Sequence, residues 1–189
     1  MILRHSYTRC RATARAALRY YQLRPRGADE PPRALFGTDG TLTRAEAERL
    51  LDAHQPGGGR YLAHRLLLSP GDDERPADLR AMTYRVLRAL ERERGLRLHW
   101  VAVEHRNTDR PHVHVVLAGG GETPGGRVRE VRLDRADPAR VKAAAADYCR
   151  LEARVRDDWD RALAAAAARV AREDRAIAAA GAGRDDGER

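Results

Sequence analysis

Lysine is almost absent from this sequence. Lys142 is the single lysine among 36 basic residues, in a chain of 189 residues with a formal net charge of +8. The positive charge is therefore arginine, whose planar fork grips phosphate bidentately where lysine offers a point charge. A basic surface of that kind fits a polyanionic partner, nucleic acid foremost. A GC-rich gene would raise arginine and alanine too, and composition alone leaves both explanations open. Cysteine is scarce: Cys10 and Cys149 are the only two and lack metal-ligand spacing. That argues against a disulfide scaffold and for a reducing, cytoplasmic setting. Aromatic residues are 5% of the chain, so the expected core is modest. No apolar run approaches the ~18–20 residues of a membrane helix. The start, MILRHSYTRC, has no apolar stretch followed by a cleavage site, so neither a membrane partner nor a signal peptide is expected.

What is present reads as alternating strands and helices. ILRHSYTR, residues 2–9, is strand-like, and CRATARAALRYYQLR is a run of good helix formers that Pro25 ends. A turn-rich stretch, PRGADEPPRALFGTDG, follows. Thr43 and Glu46 form a capping-box pattern, which predicts a short helix over TRAEAERLLDAH. Beyond the loop QPGGG, the apolar run 60–69 is a strand bounded by Gly and Pro. Leu79, Met82, Val86, Leu87 and Leu90 make a helical stripe that Gly95 is placed to cap. LRLHWVAVEH and PHVHVVLAG are adjacent strands, and their short connection, RNTDR, favours an antiparallel hairpin. GGETPGG reads as a turn, RVREVRL as a half-exposed strand, and the chain from Pro138 as helix. The expectation is an α+β fold: a mainly antiparallel sheet of about five strands, helices on one face, and a long Ala-rich C-terminal helix.

Three of the seven histidines crowd into WVAVEHRNTDRPHVHVVLAG. Side chains alternate along a strand, so His112 and His114 share one face about 6.5–7 Å apart, while Val113 and Val115 take the other, core-side face. His105 ends the neighbouring strand and can stand beside them. Three imidazoles converging from two strands make an open metal site, with coordination positions left for water or substrate. A His-x-His on a strand can also be ordinary surface or a hydrogen-bonded core pair. His64 opens the strand HRLLLS and is placed either as support for the cluster or as a structural residue. His5, His54 and His99 read as structural or surface residues.

WVAVEHRNTDRPHVHVVLAG resembles the metal-binding motif of the relaxase/mobilisation nucleases (MobA/VirD-like), members of the HUH endonuclease superfamily, named for His–hydrophobic–His. ALRYYQLRPRG is similar to that family's catalytic-tyrosine segment. HRLLLSP with the following acidic loop and helix is similar to its middle segment. The resemblance spans Leu3 to Leu133. It implies a relaxase-like nuclease core over residues 1–135, while composition predicts a helical extension over 136–180 and a disordered tail over 181–189. It also implies that His105, His112 and His114 hold a divalent cation, Mg²⁺ or Mn²⁺, with Asn107, Thr108 and Asp109 in the turn that sets their geometry. Tyr20 aligns with the nucleophile and Tyr21 is its rival. Helical phase bears on the choice: Ala14, Ala17, Leu18 and Tyr21 form the core-facing stripe, and Tyr20 lies nearer its edge.

The activity implied is strand-specific DNA nicking by transesterification, with a 5′-phosphotyrosyl intermediate. The implied partner is single-stranded or locally melted DNA at a transfer origin, with accessory mobilisation proteins beside it. Arg19, Arg24, Arg26, Arg127 and Arg129 are candidate phosphate contacts. Other readings are a rolling-circle replication initiator or transposase of the same superfamily, and a DNA-binding accessory protein without catalysis. QLRPRG departs from the aspartate-containing turn expected after the tyrosines, and the sequence offers no acidic partner to orient a ligand histidine.

Overall fold

A computed structural model describes residues 2–23, 32–71, 76–106 and 108–182. In chain order the elements are β1 (Ile2–Thr8), α1 (Arg11–Leu23), β2 (Leu35–Gly37), β3 (Gly40–Leu42), α2 (Arg44–Ala53), β4 (Ala63–Ser69), α3 (Leu79–Arg94), β5 (Arg97–His105), β6 (His112–Glu122), β7 (Val128–Glu130) and α4 (Asp137–Ala182). The fold is α+β. All strands join one antiparallel sheet in the order β1-β4-β6-β5-β2-β3, and β7 pairs the far end of β6.

The sheet differs from expectation in three ways. It has seven strands rather than about five. The added β2–β3 hairpin lies in the stretch that reads as turns, because three-residue strands leave no periodicity to detect. Second, β6 runs on past Gly119 through Gly120, Gly121 and Glu122, which read as the start of a turn. A Cβ at Gly119 would stand 1.9 Å from the Tyr61 carbonyl oxygen, so these glycines serve close backbone approach within a strand. Third, helices cover both faces instead of one. α3 and the start of α4 enclose Leu66, Leu68, Trp100, Val113, Val115 and Leu117, while α1 and α2 cover Ala63, Val101, Val103, Val116 and Ala118.

The helices form where the caps direct. Thr43 and Glu46 complete the capping box of α2, and Asp78 caps α3, which Gly95 ends in the left-handed conformation. The few aromatics are concentrated: Trp100 meets Phe36 and Tyr84 edge-on and Phe36 lies tilted against Tyr84, with ring centroids 5.2–6.2 Å apart.

Residues 1–149 form one compact unit and residues 150–189 a second. The boundary expected at 135/136 thus falls after Cys149, because Val141, Ala145 and Cys149 of α4 are buried in the first unit's core. From Arg150 the described part of α4 is solvated, with Leu151, Val155, Trp159 and Leu163 all more than half exposed. Gly181 and Ala182 are helical, and residues 183–189 lie outside the described residues. No described helix is long and apolar enough to cross a membrane.

Candidate metal centre

His105 and His112 are direct partners across the β5–β6 ladder, and His114 faces Val103 two positions further on. The three rings converge with centroids 4.9–5.0 Å apart. One ligand-capable nitrogen from each lies within 4.8 Å of the others, with His105 buried and the other two partly exposed. They share the sheet face covered by α1 and α2, the side of Val101, Val103 and Val116.

Backbone carbonyls orient the rings. His105 Nε2 lies 2.8 Å from the Tyr21 carbonyl oxygen, and His112 Nδ1 lies 2.9 Å from that of Arg110. A carbonyl only accepts, so these nitrogens carry the protons and the opposite ones, His105 Nδ1 and His112 Nε2, keep lone pairs. Thr108 supports the same turn by donating its hydroxyl to the Arg110 carbonyl at 2.7 Å. The carboxylate missing from the sequence is thus replaced by main chain, which no motif could reveal. The donor set fits a divalent cation: three neutral imidazole nitrogens suit Mn²⁺ or Zn²⁺ intrinsically better than Mg²⁺, which prefers oxygen.

The tyrosine segment closes one side. Tyr21 lies flat on His114, centroids 3.9 Å apart and planes 8° from parallel. Tyr20 is 55% exposed, with its ring 6.0 Å from that of Tyr21. The end of α1 is held in place by Gln22, whose amide donates to the Arg33 carbonyl at 3.3 Å and whose oxygen accepts from the Arg44 guanidinium on α2. Arg15 of α1 pairs with Asp52 of α2. Burial pushes the Tyr21 phenol above its ordinary value, and the nearby Arg65 charge pulls it the other way.

Arg65 lies beside the cluster, and the sequence alone did not single it out. It sits on β4 opposite Val116, diagonal to His114, and its buried Nε has no hydrogen-bond partner. The available signal was a lone cation inside the apolar run HRLLLS.

Other expected site residues stand elsewhere. His64 does not join the cluster. It faces the opposite side of the sheet, with Nε2 2.9 Å from the Val131 carbonyl and Nδ1 3.1 Å from His5 Nε2. Alternation along β4 puts it with Leu66 and Leu68, away from His114. Burial lowers its pKa to about 4. Arg127 and Arg129 are exposed in and beside β7, whose Arg129 pairs Gly121. Gly121 is seven residues along β6 from His114, roughly 20 Å. Arg19 and Asp109 are exposed. Arg24, Arg26 and Asn107 lie outside the described residues.

No protein-family model matches this sequence, and none of the curated proteins does. Solved structures do match. One is the metal-bound structure of the conjugative relaxase TrwC in complex with oriT DNA, at 17% identity over 81% of this chain and 70% of that one, TM-score 0.55. Another is the copper-bound complex of the same relaxase, at 17% identity over 77% and 69%, TM-score 0.50. The chain has a relaxase-like fold. A relaxase-like sheet, with helices on both faces, therefore presents the histidine triad and the tyrosine pair together on one side.

Proposed function

We propose that this protein is a metal-dependent DNA-nicking relaxase acting through a tyrosine. The observation that carries the reading is the convergence of His105, His112 and His114 beside the Tyr20–Tyr21 segment, 3.9 Å between the Tyr21 and His114 rings. The similar structures are of a relaxase bound to oriT DNA, so the substrate read across is single-stranded or locally melted DNA at a transfer origin.

A divalent cation on the three histidines would supply Lewis-acid stabilisation of the charge that builds on the scissile phosphate. The chain supplies the rest. A tyrosine oxygen attacks phosphorus in line, the bond to the 3′ oxygen breaks, and that oxygen takes up a proton. The products are a 5′-phosphotyrosyl strand and a free 3′-hydroxyl. One phosphoester replaces another, so resealing needs no external energy. Arg65 stands where its charge favours both a phenolate and the phosphate. Arg19, exposed on α1, would meet the strand's backbone in this reading.

Tyr20 is the nucleophile in this reading: it is accessible to a strand, while Tyr21 is half-buried and packed on a ligand ring. The contact between Tyr21 and His114 favours a second reading, in which Tyr21 attacks and Tyr20 gates access. Incubation with labelled single-stranded DNA from the chain's own element and Mn²⁺ or Mg²⁺, run on a denaturing gel, tests both. A covalent adduct lost in Tyr20→Phe and with chelator is expected. Loss only in Tyr21→Phe would move the nucleophile by one residue. Salt-sensitive binding with no adduct on any candidate DNA would overturn catalysis and favour an accessory DNA-binding protein.

A further inference from the structure

A second cluster stands at the other end of the same strands. His54 at the C-cap of α2, His99 on β5 and Glu122 at the end of β6 each bring a ligand-capable atom within 4.8 Å of the others. His99 and His105 are six residues apart on β5, on the same face, so the two clusters are separated by about 20 Å.

His54 Nδ1 is 2.8 Å from the Leu50 carbonyl, so that nitrogen carries the proton and Nε2 presents a lone pair. That lone pair faces Glu122 Oε1 at 3.4 Å, and His99 Nε2 faces Oε2 at 3.5 Å. His99 is 7% exposed, and its Nε2 is buried with no hydrogen-bond partner. A shared proton would draw nitrogen and oxygen to about 2.7–2.9 Å. The observed separations are longer, and they leave room for a tetrahedral ion: bonds of about 2.0–2.1 Å to His and carboxylate put neighbouring ligand atoms roughly 3.3 Å apart. The two imidazoles lie stacked, 3.3 Å between centroids and 10° from parallel, so a ring must turn about its Cβ–Cγ bond before both in-plane lone pairs meet at one ion.

The backbone is shaped to allow this. The β5–β6 register shifts between Leu98 and Trp100, where His99 sits. The carbonyl of His54 accepts from Gly120 N at 2.8 Å, an approach that a side chain at residue 120 would obstruct.

We propose that His54, His99 and Glu122 form a second metal site, which takes Zn²⁺ with water in the fourth position. Two imidazoles and one carboxylate are a zinc donor set, and a hard ion such as Mg²⁺ would want more oxygen. The ion clips the C-terminal end of α2 to the sheet. Because α2 is tied to α1 through Arg44–Gln22 and Arg15–Asp52, the clip also steadies the helix that carries the tyrosines. The inference does not depend on DNA nicking.

The test is metal content. The 189-residue chain is stripped with chelator, dialysed against Zn²⁺ and then metal-free buffer, and counted by mass spectrometry. His112→Ala/His114→Ala is expected to keep one zinc per chain and to lose it when Glu122→Gln or His99→Ala is added. Zn²⁺ should raise the Tm of His112→Ala/His114→Ala, and Glu122→Gln should cancel that rise. No zinc in His112→Ala/His114→Ala with a native circular-dichroism spectrum overturns the proposal. So does a zinc that survives both Glu122→Gln and His99→Ala. If buried His99→Ala fails to fold, Glu122→Gln and His54→Ala, at partly exposed positions, give the same decision. An absent DNA adduct with zinc still bound at His99 would sink the nicking reading alone.

Discussion

The Tyr21 ring lies on the His114 imidazole, 3.9 Å between centroids and 8° from parallel, while the Tyr21 carbonyl holds His105 Nε2 at 2.8 Å. One residue of α1 therefore positions two of the three candidate ligands, one through its ring and one through its main chain. Tyr21→Phe keeps both contacts and should leave Mn²⁺ affinity unchanged. Tyr21→Ala removes the ring support and should weaken affinity about tenfold, the low end for loss of a ligand-orienting partner. Calorimetric titration with Mn²⁺ reads the difference, and equal affinities in the two variants would refute it.

Arg65 has the charge and the place to act on a phosphate without binding the cation. On the nicking reading, Arg65→Gln should lower the single-turnover cleavage rate about 100-fold, as expected for loss of one preorganised electrostatic group, with Mn²⁺ affinity unchanged. A cleavage rate like that of the parent protein would remove Arg65 from the site.

The buried pair of His5 and His64 makes the fold sensitive to acid. Burial holds His64 at about 4 against an ordinary 6.5, so the unfolded chain takes up a proton that the folded chain refuses. The sign follows: stability is full above about 6.5 and is lost as the pH falls towards about 4, by up to about 3 kcal/mol in all. Urea unfolding at pH 7 and pH 4.5 measures the loss. His64→Gln should flatten that difference, and an unchanged difference would assign the acid sensitivity elsewhere.

Gly120 lets the end of α2 meet β6. A Cβ there would lie 2.6 Å from both the His54 carbonyl oxygen and Val128 Cγ1. Gly120→Ala should cost about 1–3 kcal/mol, the range for overpacking, seen as a lower urea midpoint with an unchanged slope. An unshifted midpoint would mean that the loop yields without cost.

The legible parts of this fold were the local ones. His105, His112 and His114 fall within one hairpin, so strand alternation alone foretold their shared face. The caps at Thr43 and Gly95 and the stripe from Leu79 to Leu90 were equally readable. What escaped depends on pairings distant in the chain. His54 and His99 meet only because α2 ends over the far end of β5, and the stack of Tyr21 on His114 joins the first helix to the sixth strand. His64 was left between two placements because a histidine in an apolar strand gives no sign of which face that strand buries, when both faces are covered.

Strand β5 carries His99 and His105 on one face at its two ends. A slip of one residue in its pairing with β6 would turn both rings to the opposite side of the sheet. The strand's register is thus checked at two points about 20 Å apart, and a mispaired sheet would forfeit both clusters at once.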